Sequence, residues 1–227
     1  MKSFPKPLDN NALKLIALFS MIVDHCCLVL FPHSLTAYML RITVGRLAMP
    51  IYVYLICEGF YYTRSRFRYG RNLLLFALIS EPIYDLACFR TPFYPKDQNI
   101  FFTLFFGLLL LCILNKLALL NKQIFQLPVI ALFCFLSVFL HLDYSYSAVI
   151  MFALLYYLHW RPIFVKGFSI CTVLALVYNV PAVYFTLIPL LLYNEKRGAM
   201  KPLLKYLFYI IYPAHLLLLL LIRIFFF

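Results

Sequence analysis

The chain has 227 residues, of which 65% are hydrophobic, 19% aromatic and only 12% charged. Soluble globular proteins contain about 45–50% apolar and about 25% charged residues, so this composition excludes a soluble enzyme, a disordered chain and a secreted disulfide scaffold. The net charge of +12 would suggest nucleic acid in a soluble protein, but in a membrane protein it first reflects topology. We therefore expect no nucleic-acid partner, and we predict an all-α, polytopic transmembrane helix bundle that forms a single domain over residues 1–227.

About nine hydrophobic segments are predicted as spans, and prolines lie at many of their ends. Because a membrane helix needs about 20 apolar residues, one or two of the shorter middle segments are expected to be re-entrant or irregularly tilted. The first segment lacks a cleavage site of small residues, which favours a retained span over a signal peptide. In chain order the segments are 12–31, 40–62, 72–89, 100–114, 127–141, 148–160, 164–178, 183–193 and 204–227.

The basic residues are distributed unevenly over the loops. Of the 20 Lys and Arg, 15 fall in one set of alternate loops. The positive-inside rule then places the N-terminus in the cytoplasm and, with nine spans, the C-terminus outside. The 15 are Lys2, Lys6, Lys14, Arg64, Arg66, Arg68, Arg71, Lys116, Lys122, Arg161, Lys166, Lys196, Arg197, Lys201 and Lys205.

Several ionisable residues lie inside the predicted spans or at their ends. Inside a span each costs roughly 2.5–3.5 kcal/mol on the most lenient scale and marks a functional candidate. They are Asp24, His25, Arg41, Arg46, Glu58, Glu81, Asp85, His141, Asp143 and His215. Helical rise places most of them between the midplane and the outer face. Three stripes at three- and four-residue spacing are predicted to line a polar cavity entered from the cytoplasm. They contain Lys14, Leu18, Met21 and His25; Arg71, Leu74, Leu78, Glu81, Asp85 and Cys88; and Lys201, Lys205, Phe208, Tyr212, His215, Leu219 and Arg223.

Two interpretations of this polar group stay open. A histidine beside a carboxylate deep in the bilayer suits a general base, which favours a chemical role for His25 and also for His215. The acidic residues can instead be structural partners of Arg41 and Arg46. Pro50 is expected to kink the second span between Arg46 and Glu58. The seven cysteines lie in apolar segments and are expected to be core residues, so no metal site is predicted.

The order of these motifs resembles the TraX family of bacterial membrane proteins. The matching stretches are LKLIALFSMIVDH at 13–25, LRITVGRLAMP at 40–50, EGFYYTR at 58–64, Ser80-Glu81, QNIFFT at 98–103 with Gly107, Asp143-Tyr144, Lys196-Arg197-Gly198 and FYIIYPAH at 208–215. The resemblance covers essentially the whole chain, with Pro82 and the short middle spans as departures. It implies a relative of a conjugative-plasmid protein that acetylates the N-terminus of pilin, and of membrane acyltransferases that use cytoplasmic acyl-CoA.

The resemblance implies that Asp24, His25, Arg41, Arg46, Glu58, Asn99 and His215 are motif residues. We assign these and further residues to three roles. The catalytic candidates are His25, Asp24, His215, Arg46, Glu58, Asn99 and Tyr212. His25 is expected to be the base, oriented by Asp24 or another carboxylate, with Arg46, Asn99 or Tyr212 at the oxyanion. Two choices stay open: His215 can instead be the base or protonate the leaving thiolate, and transfer can be direct or pass through an acyl-histidine. The candidates for holding the phosphates of acetyl-CoA are Arg64, Arg71, Lys196, Arg197, Lys201 and Lys205. The candidates for binding the acceptor are Arg41, Glu81, Asp85, Thr103 and Asp143.

The function expected from this assignment is acetyl transfer from cytoplasmic acetyl-CoA to an amine or hydroxyl at or across the bacterial inner membrane. The acceptor is a small molecule, a peptide or a glycan. Two alternatives remain: a proton-coupled transporter or flippase that uses the buried Asp, His and Glu residues, and an assembly or anchoring protein with structural ion pairs. The absence of an inverted repeat counts against the transporter.

Overall fold

The computed structural model describes residues 6–196, 198 and 202–226, with side chains in the last stretch from Tyr206 onward. The regular elements of these residues are all helices, and they form no β-strand, in agreement with the predicted all-α fold. The helices are α1 (Asn10–Leu30), α2 (Leu35–Thr43), α3 (Ala48–Tyr62), α4 (Arg66–Phe89), α5 (Ile100–Leu119), α6 (Gln126–Phe139), α7 (Ser145–Tyr157), α8 (Ile163–Tyr178), α9 (Leu187–Leu191) and α10 (Pro202–Phe226).

Among the described residues, five stretches are long and apolar enough to cross a membrane, judged by length and composition alone. They are Asn10–Leu30, Leu35–Tyr62, Arg66–Phe89, Ile100–Leu119 and Tyr206–Phe226. The other four predicted spans coincide with shorter apolar helical stretches, Gln123–Phe139, Ser145–Tyr157, Ile163–Tyr178 and Pro181–Leu191. The number of nine spans and their orientation therefore stay predictions.

The helices pack as two compact units, and the single domain over 1–227 stays a prediction. The first unit combines residues 1–55 with residues 161–227, so both ends of the chain contribute to it. Helix α1 is at its centre and packs against α2, α9 and α10. Asp9 caps α1 by accepting a hydrogen bond from the Ala12 amide at 2.8 Å. The Leu8 amide donates to Leu192 O and the Asn194 amide donates to Leu8 O, so the residues after α9 hold the start of α1.

The second unit comprises residues 56–160, and α5 contacts α4, α6 and α7 within it. Apolar residues on several sides of α5 suit a helix with neighbours on several sides. Gly107 brings α5 close to α7, because a Cβ at this position would overlap the ring of the wholly buried Phe152.

Gly107→Ala is expected to lower the free energy of unfolding by about 2 kcal/mol, because the added methyl group overpacks the contact with Phe152. Thermal unfolding in detergent measures the effect, and adding Phe152→Leu should recover part of it. Gly70→Ala is the matched control, since a Cβ there meets Phe105 and Leu108 only at ordinary contact distances, and it should be neutral or slightly stabilising. Equal effects at both glycines would contradict the close packing of α5 and α7.

Two of the three predicted stripes agree with the burial pattern. Leu18, Met21 and His25 are buried in α1, and Tyr212, His215 and Leu219 are buried in α10. The stripe in α4 is wrong in part, because Arg71 and Leu78 are exposed. The buried face of α4 instead carries Gly70, Leu73, Ala77, Ser80, Tyr84, Asp85 and Ala87.

The second predicted span breaks at a different place from the one expected. A short 3₁₀ turn, Gly45–Leu47, separates α2 from α3. Pro50 lies in the first turn of α3, where the missing amide hydrogen has no intrahelical partner to lose. The bend is therefore at Gly45, one residue before Arg46.

Candidate functional site

Two histidines from opposite ends of the chain meet inside the first unit. His25 Nδ1 of α1 lies 2.9 Å from His215 Nε2 of α10, and both side chains are buried, with 9% and 8% of their surface exposed. His215 Nδ1 in turn lies 2.9 Å from the backbone oxygen of Ile211, one helical turn earlier. A line of hydrogen bonds therefore runs from α10 to the His25 ring.

Tyr212 completes this cluster from α10. Its ring centroid is 5.8 Å from that of His25 and 5.5 Å from that of His215, in edge-to-face geometry, and only 2% of the residue is exposed. The Tyr212 ring therefore packs against both imidazoles. The structure thus brings His25, His215 and Tyr212 together, and their catalytic roles stay predictions.

Because Asp24 and His25 are adjacent, the simplest expectation is that Asp24 orients the His25 ring. The contact described for Asp24 is instead with an arginine. Asp24 Oδ1 lies 3.5 Å from Arg41 Nε, and both side chains are at least three-quarters buried. Arg46 also interacts electrostatically with Asp24, and its guanidinium lies 5.8 Å from the centre of the Tyr178 ring. Two arginines share one carboxylate here, so this ion-pair group carries a net positive charge beside the histidines.

The 3₁₀ turn that carries Arg46 is held against α1 by Ser20. Its hydroxyl donates to Val44 O at 2.5 Å and lies 3.1 Å from Gly45 O, and the residue is 1% exposed. A Cβ at Gly45 would lie 2.9 Å from the Cβ of Asp24, so only glycine allows this approach. Sequence reasoning missed Ser20, although its position one turn before Asp24 on a stripe of α1 is the available signal.

Gly45→Ala is expected to separate the turn from α1 and to lower the free energy of unfolding by about 1–3 kcal/mol, because the methyl group overlaps Asp24. Thermal unfolding in detergent measures the loss, with Gly70→Ala again as the control. An alanine variant as stable as the control would show that the turn does not need this close approach.

A second polar cluster lies within the second unit, around the start of α5. Asn99 is wholly buried, and its Nδ2 donates to Ala77 O at 2.8 Å and to Glu81 Oε2 at 2.5 Å. Its backbone amide also donates to Glu81 Oε2, and its Oδ1 caps α5 by accepting from the Phe101 amide. Because both side-chain N–H groups already donate, a role for Asn99 at an oxyanion would require one of these bonds to open. That role stays a prediction.

Other predicted acceptor-binding residues of the second unit form hydrogen bonds with the backbone of loops. Asp85, 1% exposed, accepts a hydrogen bond from the Tyr94 amide at 2.8 Å. Thr103 donates to the backbone oxygen of Asp143 at 2.8 Å. In the loop before α5, burial raises the pKa of the Asp97 carboxyl above its ordinary value, and a hydrogen bond from the Tyr84 hydroxyl partly offsets this. Contact with an acceptor stays a prediction for Glu81, Asp85, Thr103 and Asp143.

The predicted phosphate-binding residues are described in part. Arg64 and Arg71 are exposed in the second unit, and Lys196 is exposed in the first. Arg197, Lys201 and the side chain of Lys205 lie outside the described residues. Glu58 is half-buried in the part of α3 that belongs to the second unit.

Comparisons with known proteins agree with the order of the motifs. The chain is 27% identical over 234 residues to a protein of Dichelobacter nodosus named probable fimbrial assembly protein FimC, serogroup H1, and the match covers 91% of this chain and 92% of that protein. No solved structure matches. The sequence model described as TraX protein matches residues 9–223, so the chain belongs to the TraX family.

Proposed function

We propose that the chain is an integral membrane acetyltransferase that moves the acetyl group of cytoplasmic acetyl-CoA to an amine or hydroxyl acceptor. The observation that carries this proposal is the buried pair of His25 and His215, at 2.9 Å on two candidate spans. An imidazole held neutral by burial is a candidate general base for an acceptor N–H or O–H, because its neutral ring carries one lone pair that can accept the proton. Family membership supports the same reaction.

The donor is bound by basic residues at the cytoplasmic face in this proposal. Arg64, Arg71 and Lys196 are exposed, and their binding to one donor is proposed from the sequence alone. Arginine and lysine suit the diphosphate and the 3′-phosphate of CoA. Arg197, Lys201 and Lys205 are proposed to join them on the grounds of sequence alone.

The reaction needs a base, a stabilised oxyanion and a route for one proton. His25 accepts the proton of the acceptor as its nitrogen or oxygen attacks the thioester carbonyl carbon. Arg46 or Tyr212 stabilises the developing oxyanion, and the net positive charge of the Asp24, Arg41 and Arg46 group favours that negative charge. When the carbon–sulfur bond breaks, the proton returns to the thiolate, so the products are acetylated acceptor and CoA.

The location and acceptor belong to the same proposal. We place the chain in the bacterial inner membrane with nine spans and a cytoplasmic N-terminus, because 15 of the 20 basic residues lie in alternate loops. The relative from D. nodosus is named for fimbrial assembly, so a fimbrial subunit is the first acceptor to test.

Acetyl transfer by the purified protein tests the function directly. The protein in lipid nanodiscs is incubated with radiolabelled acetyl-CoA and a candidate acceptor, and both the labelled acceptor and the released CoA thiol are measured. We expect acetyl-CoA to bind and the label to move. A protein that binds no CoA in this assay contradicts the proposal.

Proton-coupled transport is the second candidate, since a buried histidine pair in a candidate span also suits a proton relay. Reconstitution in liposomes separates the two functions. Solute uptake driven by a pH gradient, without CoA release, would support the transporter. CoA release without any such uptake would support the transferase.

A further inference from the structure

The hydrogen bonds of the two histidines restrict where their ring protons lie. His215 Nδ1 is 2.9 Å from the backbone oxygen of Ile211. A carbonyl oxygen only accepts hydrogen bonds, so this nitrogen carries a hydrogen. A neutral imidazole has a single N–H, and His215 Nε2 therefore presents its lone pair to His25.

The same rule then applies to His25. Its Nδ1 lies 2.9 Å from His215 Nε2, and a contact of this length between two nitrogens needs one hydrogen between them. Because His215 Nε2 holds a lone pair, His25 Nδ1 must be the donor. The basic nitrogen of His25 is consequently Nε2, on the far side of the ring from His215.

A doubly protonated His215 is the competing arrangement, and the surroundings disfavour it. It would reverse the bond, so that His25 Nδ1 accepts and Nε2 carries the hydrogen, and His25 would have no basic nitrogen. Both rings are buried, and a cation there loses most of its hydration. Arg41 interacts electrostatically with His25, and Arg41 and Arg46 outnumber Asp24 among the charges of this cluster, so a further positive charge is repelled.

We infer that His25 Nε2 is the atom that takes the proton, and that His215 is a positioning residue that sets the tautomer of His25 by accepting a hydrogen bond from its Nδ1. This inference rests on the proposed transferase function. As the acceptor attacks, its proton binds His25 Nε2, and the Nδ1–H group of His25 keeps its hydrogen bond to His215 Nε2. His25 is charged only while the oxyanion exists beside it, and it becomes neutral again when the thiolate of CoA takes the proton from Nε2.

Nitrogen NMR of the resting protein tests the tautomers without any assay of activity. The full chain is labelled with ¹⁵N-histidine in nanodiscs, and correlation of ring nitrogens with carbon-bound protons identifies which nitrogen carries hydrogen. Signals are assigned by their loss in His25→Asn and His215→Gln, and the exposed His33 and His141 serve as references. We expect Nδ1–H and bare Nε2 in both buried rings. An Nε2–H form of His25, or a doubly protonated His215, overturns the inference.

Two substitutions of His215 separate tautomer control from packing. Glutamine places a carbonyl oxygen where it can accept from His25 Nδ1, whereas leucine removes the acceptor. We expect His215→Gln to keep the His25 tautomer and the KM for acetyl-CoA but to lower kcat about 10-fold. His215→Leu should lose the tautomer preference and lower kcat by roughly 10²-fold or more. Identical kcat and identical His25 spectra in the two variants would overturn the positioning role. A wild-type protein without acetyl transfer overturns the proposed function instead, and the NMR result still decides the tautomers.

Discussion

His25→Asn is expected to lower kcat for acetyl transfer by roughly 10²–10⁴-fold, the usual contribution of general acid–base catalysis. Asparagine can still donate from its amide to His215 Nε2, so the contact between α1 and α10 is preserved while the basic nitrogen is lost. The measurement is labelled acetyl transfer at saturating acetyl-CoA, together with CoA binding. We expect binding to stay close to that of the wild type.

His33→Gln is the matched control for this variant. His33 is exposed between α1 and α2, so its replacement should leave turnover unchanged. Thermal unfolding of both variants checks that the fold is retained. Full turnover in His25→Asn would mean that His25 is not the base, whichever tautomer it adopts.

Asp24→Ala is expected to lower the free energy of unfolding by about 2–3 kcal/mol, because Arg41 and Arg46 then lie in a candidate span without the carboxylate they share. The measurement is thermal unfolding in detergent. Because the side chains of Asp24 and Arg41 are partly exposed, the expected loss of stability is smaller than for a fully buried ion pair. Asp24→Asn should have a smaller effect, because the amide oxygen still accepts from Arg41.

The double variant Asp24→Ala, Arg41→Leu separates the ion pair from a direct role in catalysis. If Asp24 serves mainly as the partner of Arg41, the double variant should regain much of the lost stability and, with it, acetyl transfer. Recovered stability without recovered activity would show that Asp24 or Arg41, the latter an acceptor-binding candidate, acts on the reaction itself. An Asp24→Ala protein as stable as the wild type would contradict the structural importance of the pair.

The two polar clusters differ in what their members have available for chemistry. In the second unit, Asn99 uses both amide hydrogens, and Glu81, Asp85 and Thr103 each bond to the backbone of α5 or a loop. These bonds restrain the loops that connect the helices. In the first unit, the hydrogen bonds of the histidine pair assign the lone pair of His25 to Nε2. The proposed chemistry therefore belongs to the first unit.

Local features of the chain were sufficient for the class of protein and for much of its helical layout. Hydropathy and the spacing of apolar residues depend on positions close together in the sequence. The helical segments, and the buried faces of α1 at His25 and of α10 at His215, could therefore be predicted. The excess of basic residues in alternate loops likewise supports a topology without any tertiary information. The predicted stripe of α4 was wrong in part because Arg71 and Leu78 are exposed, and residue spacing alone does not say where a neighbouring helix ends.

The partners of the polar side chains were decided only by tertiary packing. Asp24 is adjacent to His25 in sequence, yet successive side chains of a helix point in different directions, so Asp24 pairs with Arg41 while His25 meets His215, 190 positions away. Asn99 is the N-cap of α5. The second predicted span is interrupted at Gly45, where only a residue without a Cβ fits against Asp24. Contacts of this kind depend on how helices approach each other, which no local pattern encodes.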